Sequence, residues 1–169
     1  GGFGPVDKFR FQFHESPHRM GAGWPVIEIA ARLSDWNTRA DGYAIGLVMC
    51  AAAGLALWLK QRLTGSLEFA DACIPLLLLT MRQWTTFIGT PDASLGAVPV
   101  LLLVALGLAL TIEAVRPRVI AVLLLDLLCI YTGFALFAGL FVPLLLLREG
   151  YTGALPWRGA WMAFAVSVA

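Results

Sequence analysis

The chain has 169 residues, enough for one soluble domain, but 59% of them are hydrophobic, only 14% are charged and the mean hydropathy is +0.79; this is the composition of a polypeptide that sits in lipid. The formal net charge is +1 with the basic residues scattered along the chain, which excludes the basic patch a nucleic-acid partner would need. Cys50, Cys73 and Cys129 lie far apart in apolar stretches, with no CxxC and no histidine nearby, and read as buried thiols and not as metal ligands.

Residues 1–42 open the chain with its most polar stretch. HESPH at 14–18 has the letters of His-Glu-x-x-His, which on a helix places two imidazoles on one face with a glutamate beside them. Pro17 stands between the histidines, where it would remove a helical hydrogen bond and clash with the carbonyl of Phe13. Ser16 and Pro17 read instead as an N-cap and a first helical residue, leaving His14 and Glu15 outside any helix that carries His18 and Arg19. His14 and His18 are the only histidines and no third ligand follows, so the stretch is not read as a zinc protease and no metal site is assigned. The plain reading is a polar loop with a turn.

Residues 9–13 alternate apolar and polar side chains, and Gly21, Gly23 and the pair Trp24-Pro25 follow. Val26, Ile27, Ala30 and Leu33 then line one face of a short amphipathic helix with Glu28 and Arg32 on its other faces, a pattern that suits a helix lying at the membrane surface. A loop held so close to a bilayer could present Asp7, Glu15, His18 and Arg19 to a lipid-linked substrate; a surface helix that merely closes a bundle explains the same residues.

Four spanning helices are expected at about 43–60, 69–90, 94–114 and 119–147, with a fifth beginning after Trp157. The first is entered through Thr38 to Asp41, which has the form of a capping box, and is closed by Trp58, Lys60 and Arg62. Its Gly46, Cys50 and Gly54 recur every four residues, which predicts a small face for close helix packing. The second window contains Asp71, Arg82 and Gln83; the fourth is interrupted only by Asp126 and is long enough that it must tilt, bend near Pro143 or protrude. Lys60 and Arg62 fall on one side, joined by Arg116 and Arg118 if residues 69–90 cross, and the positive-inside rule makes that side internal. Residues 1–42, the loop at 90–96 and residues 148–158 are then expected outside. Starting at Gly1 and stopping at Ala169 within an apolar run, the sequence reads as a fragment, with an external loop and interfacial helix at 1–42 followed by an all-α membrane bundle at 43–169.

The order Gln12, Glu15, His18-Arg19, an amphipathic stretch and then WNTR at 36–39 leading into a membrane helix resembles a group of uncharacterised bacterial polytopic membrane proteins, as do RQWTTFIGTP at 82–91 and IYTGF at 130–134. Those proteins are similar in layout to the GT-C class of membrane glycosyltransferases, which take polyprenyl-phosphate sugars and place catalytic carboxylates in their first external loop. Where that group often has His-Asn-Glu before His-Arg, this chain has Glu-Ser-Pro. The resemblance implies a multi-pass protein of the bacterial inner membrane and a lipid-linked sugar as partner. Asp7 or Glu15 would be base or metal ligand, and His18 or Arg19 would contact the lipid phosphate. No cofactor is evident from the residues; a divalent cation is what such chemistry would take.

An ionisable side chain at membrane depth costs about 2.5 to 3.5 kcal/mol by insertion scales and is usually turned inward. Asp126 is the clearest case, and Arg82 or Asp71, near the start of the second window, could sit at a comparable depth. Asp126 with Arg82 could lock the bundle or serve a substrate or proton pathway, or Arg82 could snorkel to the surface. Three function classes therefore stand: a GT-C-like glycosyltransferase, a transporter or channel segment using Asp126, and a noncatalytic membrane scaffold.

Overall fold

The computed structural model describes residues 21–80, 93–132 and 141–152, with positions 156, 159, 161 and 165 singly. Among the described residues the secondary structure is entirely helical. Asp7, His14, Glu15, His18, Arg19 and Arg82 lie outside them, while Gly159, Trp161 and Ala165, within the expected fifth helix, are helical.

Helix α1 spans Trp24–Leu33, with Pro25 in its first turn, where the missing amide costs no helical bond. Glu28 holds it on the polar side, accepting from Trp24 Nε1 at 3.1 Å and from Arg32 Nη2 at 2.7 Å. The chain reverses through Asp35 and Trp36, both in the left-handed region at φ 54° and 65°. Helix α2, Thr38–Thr64, starts at Asn37, whose side-chain oxygen accepts from the Arg39 amide at 3.1 Å. The capping residue is thus Asn37 and not Thr38, because Asn37 has the extended backbone that lets a side chain turn back on the first free amides. Gly65 ends α2 at φ 81°, a conformation cheap only for glycine.

The chain then enters a 3-10 turn, Phe69–Ala72, and helix α3, Cys73–Leu78. A π turn at Ala93–Ala97 leads into helix α4, Val98–Leu110, with Pro99 in its first turn. Helix α5 is Val115–Ile130 and helix α6 is Val142–Tyr151.

Packing gives these helices their directions. Ile45 and Met49 of α2 are buried against Ala93 and Ala97, and a Cβ on Gly107 of α4 would come within 2.8 Å of Leu59 Cδ2. Low numbers meet low and high meet high, so α2 and α4 are parallel. Between them, Asp71 is paired with Lys60 at 2.7 Å while Leu78 and Leu79 pack at the Ile45 and Met49 level, so the chain runs back beside α2. Helix α5 opposes α4: Val122 meets Leu106 and Ala109, and Cys129 meets Val98 and Leu102. Helix α6 opposes α5, with Val142 and Leu146 against Val122 and Glu149 against Arg118.

The bundle therefore has two ends. One, here the basic end, gathers Lys60, Arg62, Arg116, Arg118 and Arg148. The other, the amino-terminal end, gathers Gly21, α1, the start of α2, the π turn and the close of α5.

Three expectations are corrected. Residues 119–147 do not form one helix: α5 stops at Ile130 and α6 runs the opposite way, because Thr132 caps the Cys129 carbonyl at 2.7 Å and Pro143 starts a helix instead of kinking one. Residues 148 and 149 consequently stand beside Arg118, at the end where Lys60 lies, and not at the opposite one. Among the described residues the small face of α2 meets no neighbour, nothing lying within 4 Å of a Cβ built on Gly46 or Gly54. Close approach uses Ala93 and Ala97 against Ile45 and Met49, and Gly107 against Leu59, instead. Cys50 and Cys73 are exposed, and only Cys129 is the buried thiol expected of all three.

Between the two ends the outward surface is apolar. Leu47, Leu76, Leu103, Ile120, Leu124 and Leu144 are each more than 40% exposed. Among the described residues one helix, Thr38–Thr64, is long and apolar enough to cross a membrane, at about 40 Å from end to end.

Candidate functional site

The amino-terminal end is where the polar first segment joins the described structure. Gly21 and Gly23 are buried, and the Ala22 amide donates to the Tyr131 carbonyl at 2.8 Å, one of the carbonyls a helix C-terminus leaves open. This bond ties the entry of α1 to the exit of α5. Val26 then packs on Val98, Leu102 and Cys129, and Ile27 on the Ile45 and Met49 cluster, so α1 lies across the bundle end and touches three helices.

Along its far edge α1 leaves a groove of about 470 Å³ against the start of α2. Ile29, Ala30 and Leu33 form one wall and Tyr43, Ala44 and Leu47 the other; Ser34 closes it near the turn. The amphipathic pattern is realised differently from the sequence expectation: Val26 and Ile27 face the bundle, Leu33 is 84% exposed, and Ala31 is the residue fully covered. Apolar side chains on both walls, open to the side of the bundle, suit a hydrocarbon chain. Arg39 stands exposed two residues past the Asn37 cap, near the turn that closes the groove.

A polar strip is buried along α5 and just past its end. Asp126, Cys129 and Thr132 follow at three-residue spacing and are 2%, 0% and 1% exposed. Thr132 is satisfied through its bond to the Cys129 carbonyl, but Asp126 Oδ1 has no hydrogen-bond partner among the described residues. A buried carboxylate oxygen left in that state costs about 1 to 3 kcal/mol, so it calls for a functional or structural account. Sequence reasoning found Asp126 and missed its two neighbours, although the repeat at 126, 129 and 132 carried the signal.

Asp71 belongs elsewhere. It sits at the basic end, where Oδ2 accepts from the Glu68 amide at 2.6 Å and pairs with Lys60, so it shares neither depth nor surroundings with Asp126. The backbone bond from Glu68 and then the Lys60 ammonium hold its carboxyl below the usual carboxylate range. The reading of comparable depth fails because Asp71 caps the turn before α3 instead of entering the apolar stretch. Arg82, the other half of the expected intramembrane pair, and the acid and base residues Asp7, Glu15, His18 and Arg19 lie outside the described residues, so the structure neither assembles nor separates them.

Among the described residues no three His, Cys, Asp or Glu side chains converge on a common point. Comparison with protein-family models, curated proteins and solved structures finds no match to this chain.

Proposed function

We propose that the chain is the membrane-embedded part of a bacterial polytopic protein whose amino-terminal end handles a lipid-linked substrate on the noncytosolic face, by GT-C-like glycosyl transfer. The observation that carries this reading is α1 lying across the bundle end, tied to Tyr131 by the Ala22 amide, with an apolar groove against α2 beside it. An interfacial helix with a lateral hydrocarbon groove supports a substrate that arrives through the bilayer. The segment bearing Asp7, Glu15, His18 and Arg19 joins at that same end, and group transfer from a lipid phosphate needs an acid or base within hydrogen-bond reach and a cation for the departing phosphate.

The membrane reading itself rests on the alternating directions of the helices, on the apolar outward surface between the ends, and on the gathering of Lys60, Arg62, Arg116, Arg118 and Arg148 at one end, which the positive-inside rule makes cytosolic. Counted this way, α2, the return through α3, α4, α5 and the stretch ending in α6 are successive crossings, with the returning one beginning at Cys73. Reconstitution of the full-length protein with a radiolabelled polyprenyl-phosphate sugar tests the proposal. Glu15→Gln and Arg19→Ala should each lower label transfer at least about 100-fold, and Leu33→Arg should raise the lipid concentration needed for half-maximal rate. Undiminished transfer in both loop variants would overturn the glycosyltransferase reading.

Asp126 favours a second reading, a transporter or channel, since an intramembrane carboxylate turned inward is what a proton or cation pathway uses. Loss of ion-coupled uptake in Asp126→Asn, with no transferase activity in the parent protein, would select it.

A further inference from the structure

At the basic end, between the close of α4, the start of α5 and the last turn of α6, lies a cavity of about 140 Å³. Its floor is made by Leu110, Val119 and Leu145, and its polar rim by Arg118, Arg148 and Glu149. The Arg118 guanidinium is fixed in place, Nη1 donating to the Ile112 carbonyl at 3.0 Å and Nη2 to Glu149 Oε2 at 2.6 Å. Its Nε is buried with no hydrogen-bond partner among the described residues, and a buried donor of this kind is rare in native proteins. Arg148, exposed at the rim, makes no ion pair with a described residue. Two guanidinium groups and one carboxylate leave one positive charge over.

We infer that this cavity binds the phosphate of an anionic phospholipid, with the accessible part of the Arg118 guanidinium and Arg148 as donors and the apolar floor receiving the first carbons of the lipid. The inference rests on the membrane reading above, which makes this end cytosolic. A phosphodiester carries the single negative charge the rim lacks, and guanidinium groups give phosphate paired, geometrically defined hydrogen bonds. Basic pockets between membrane helices on the cytosolic side hold lipid head groups in this way. The floor decides between a lipid and a free anion: leucine and valine below two arginines favour a phosphate with a hydrocarbon chain attached.

The test uses the full chain purified in neutral detergent, stripped of lipid, and heated with dioleoylphosphatidylglycerol, dioleoylphosphatidylcholine or inorganic phosphate. Phosphatidylglycerol should raise the unfolding midpoint by about 4 °C more than phosphatidylcholine does. Inorganic phosphate should give no shift. Arg148→Gln should remove most of the phosphatidylglycerol increment and Arg148→Lys should keep part of it, while Arg116→Gln, at the same end but outside the cavity, should keep all of it. Equal shifts with both lipids, an increment that survives Arg148→Gln, or a shift reproduced by inorganic phosphate would each overturn the inference. Release of the chain from membranes by alkaline carbonate would remove the membrane reading and the inference together; a chain that stays in the membrane but answers both lipids equally loses the inference alone.

Discussion

Asp126 and Asp71 are both carboxylates next to apolar sequence, yet the fold gives them opposite surroundings. Asp126 is buried, with one oxygen lacking a partner among the described residues. A side chain retained at that cost is more easily understood as functional than as structural, and replacing a poorly satisfied buried charge by an apolar side chain of similar size is often neutral or stabilising. Asp126→Leu is therefore expected to leave the thermal midpoint in detergent unchanged or raise it, by the equivalent of about 1 to 3 kcal/mol; a clear fall would show that Asp126 has a stabilising partner. Asp71 is an acceptor for Glu68 and Lys60, and its folded carboxyl is more acidic than the unfolded one. Its contribution is thus fully present above the ordinary carboxylate pKa of about 3.9 and is lost as pH falls through the lower folded value. The stability difference between the parent chain and Asp71→Asn, followed by thermal unfolding, should be constant from about pH 8 to 5 and close below about pH 4.

At the scale of elements, the parallel helices α2 and α4 come close at Gly107, where an added Cβ would lie 2.8 Å from Leu59 Cδ2. In lipid, helix association draws on van der Waals packing and small residues, because apolar surface is as well solvated outside as in. Gly107→Ala meets only the flexible end of a leucine and gains helix propensity, so its effect on unfolding should stay within about 1 kcal/mol. Gly107→Leu overpacks the contact and should cost about 1 to 3 kcal/mol, of which Leu59→Ala in the double variant should restore a substantial part. The sequence pointed to the first span, found as Thr38–Thr64, and to a helix within 94–114, found as Val98–Leu110, since uncharged windows are set by composition. It placed the small face on Gly46, Cys50 and Gly54 because four-residue spacing identifies a face without saying which partner it meets. It read 119–147 as continuous because nothing in an apolar run marks a reversal except Thr132 and Pro143, and proline serves equally to bend a helix or to begin one. The amphipathic helix before the first span was legible from its period; its groove was not, since that depends on the left-handed pair Asp35 and Trp36, which sets how α1 folds back on α2.

For the whole molecule, the functional proposals follow from one proposed arrangement: α1 and its groove stand at one face of the membrane, and the five arginines and lysines of the basic end stand at the other. The contact of Glu149 with Arg118 decides the sidedness of the last described helix, where composition alone had assigned the opposite side. A cation set of Lys60, Arg62, Arg116, Arg118 and Arg148 is also more consistent with the positive-inside rule than one that leaves Arg148 outside. The groove that would receive a lipid-linked substrate and the cavity inferred to hold a phospholipid phosphate then lie on opposite faces. Single cysteines placed by Arg39→Cys, Ser66→Cys and Thr152→Cys in a chain with Cys50, Cys73 and Cys129 replaced, labelled with a membrane-impermeant maleimide in right-side-out and inverted vesicles, test this directly. The predicted result is labelling of position 39 only in right-side-out vesicles and of positions 66 and 152 only in inverted ones; labelling of 152 together with 39 would contradict it and restore a single long helix over 119–147.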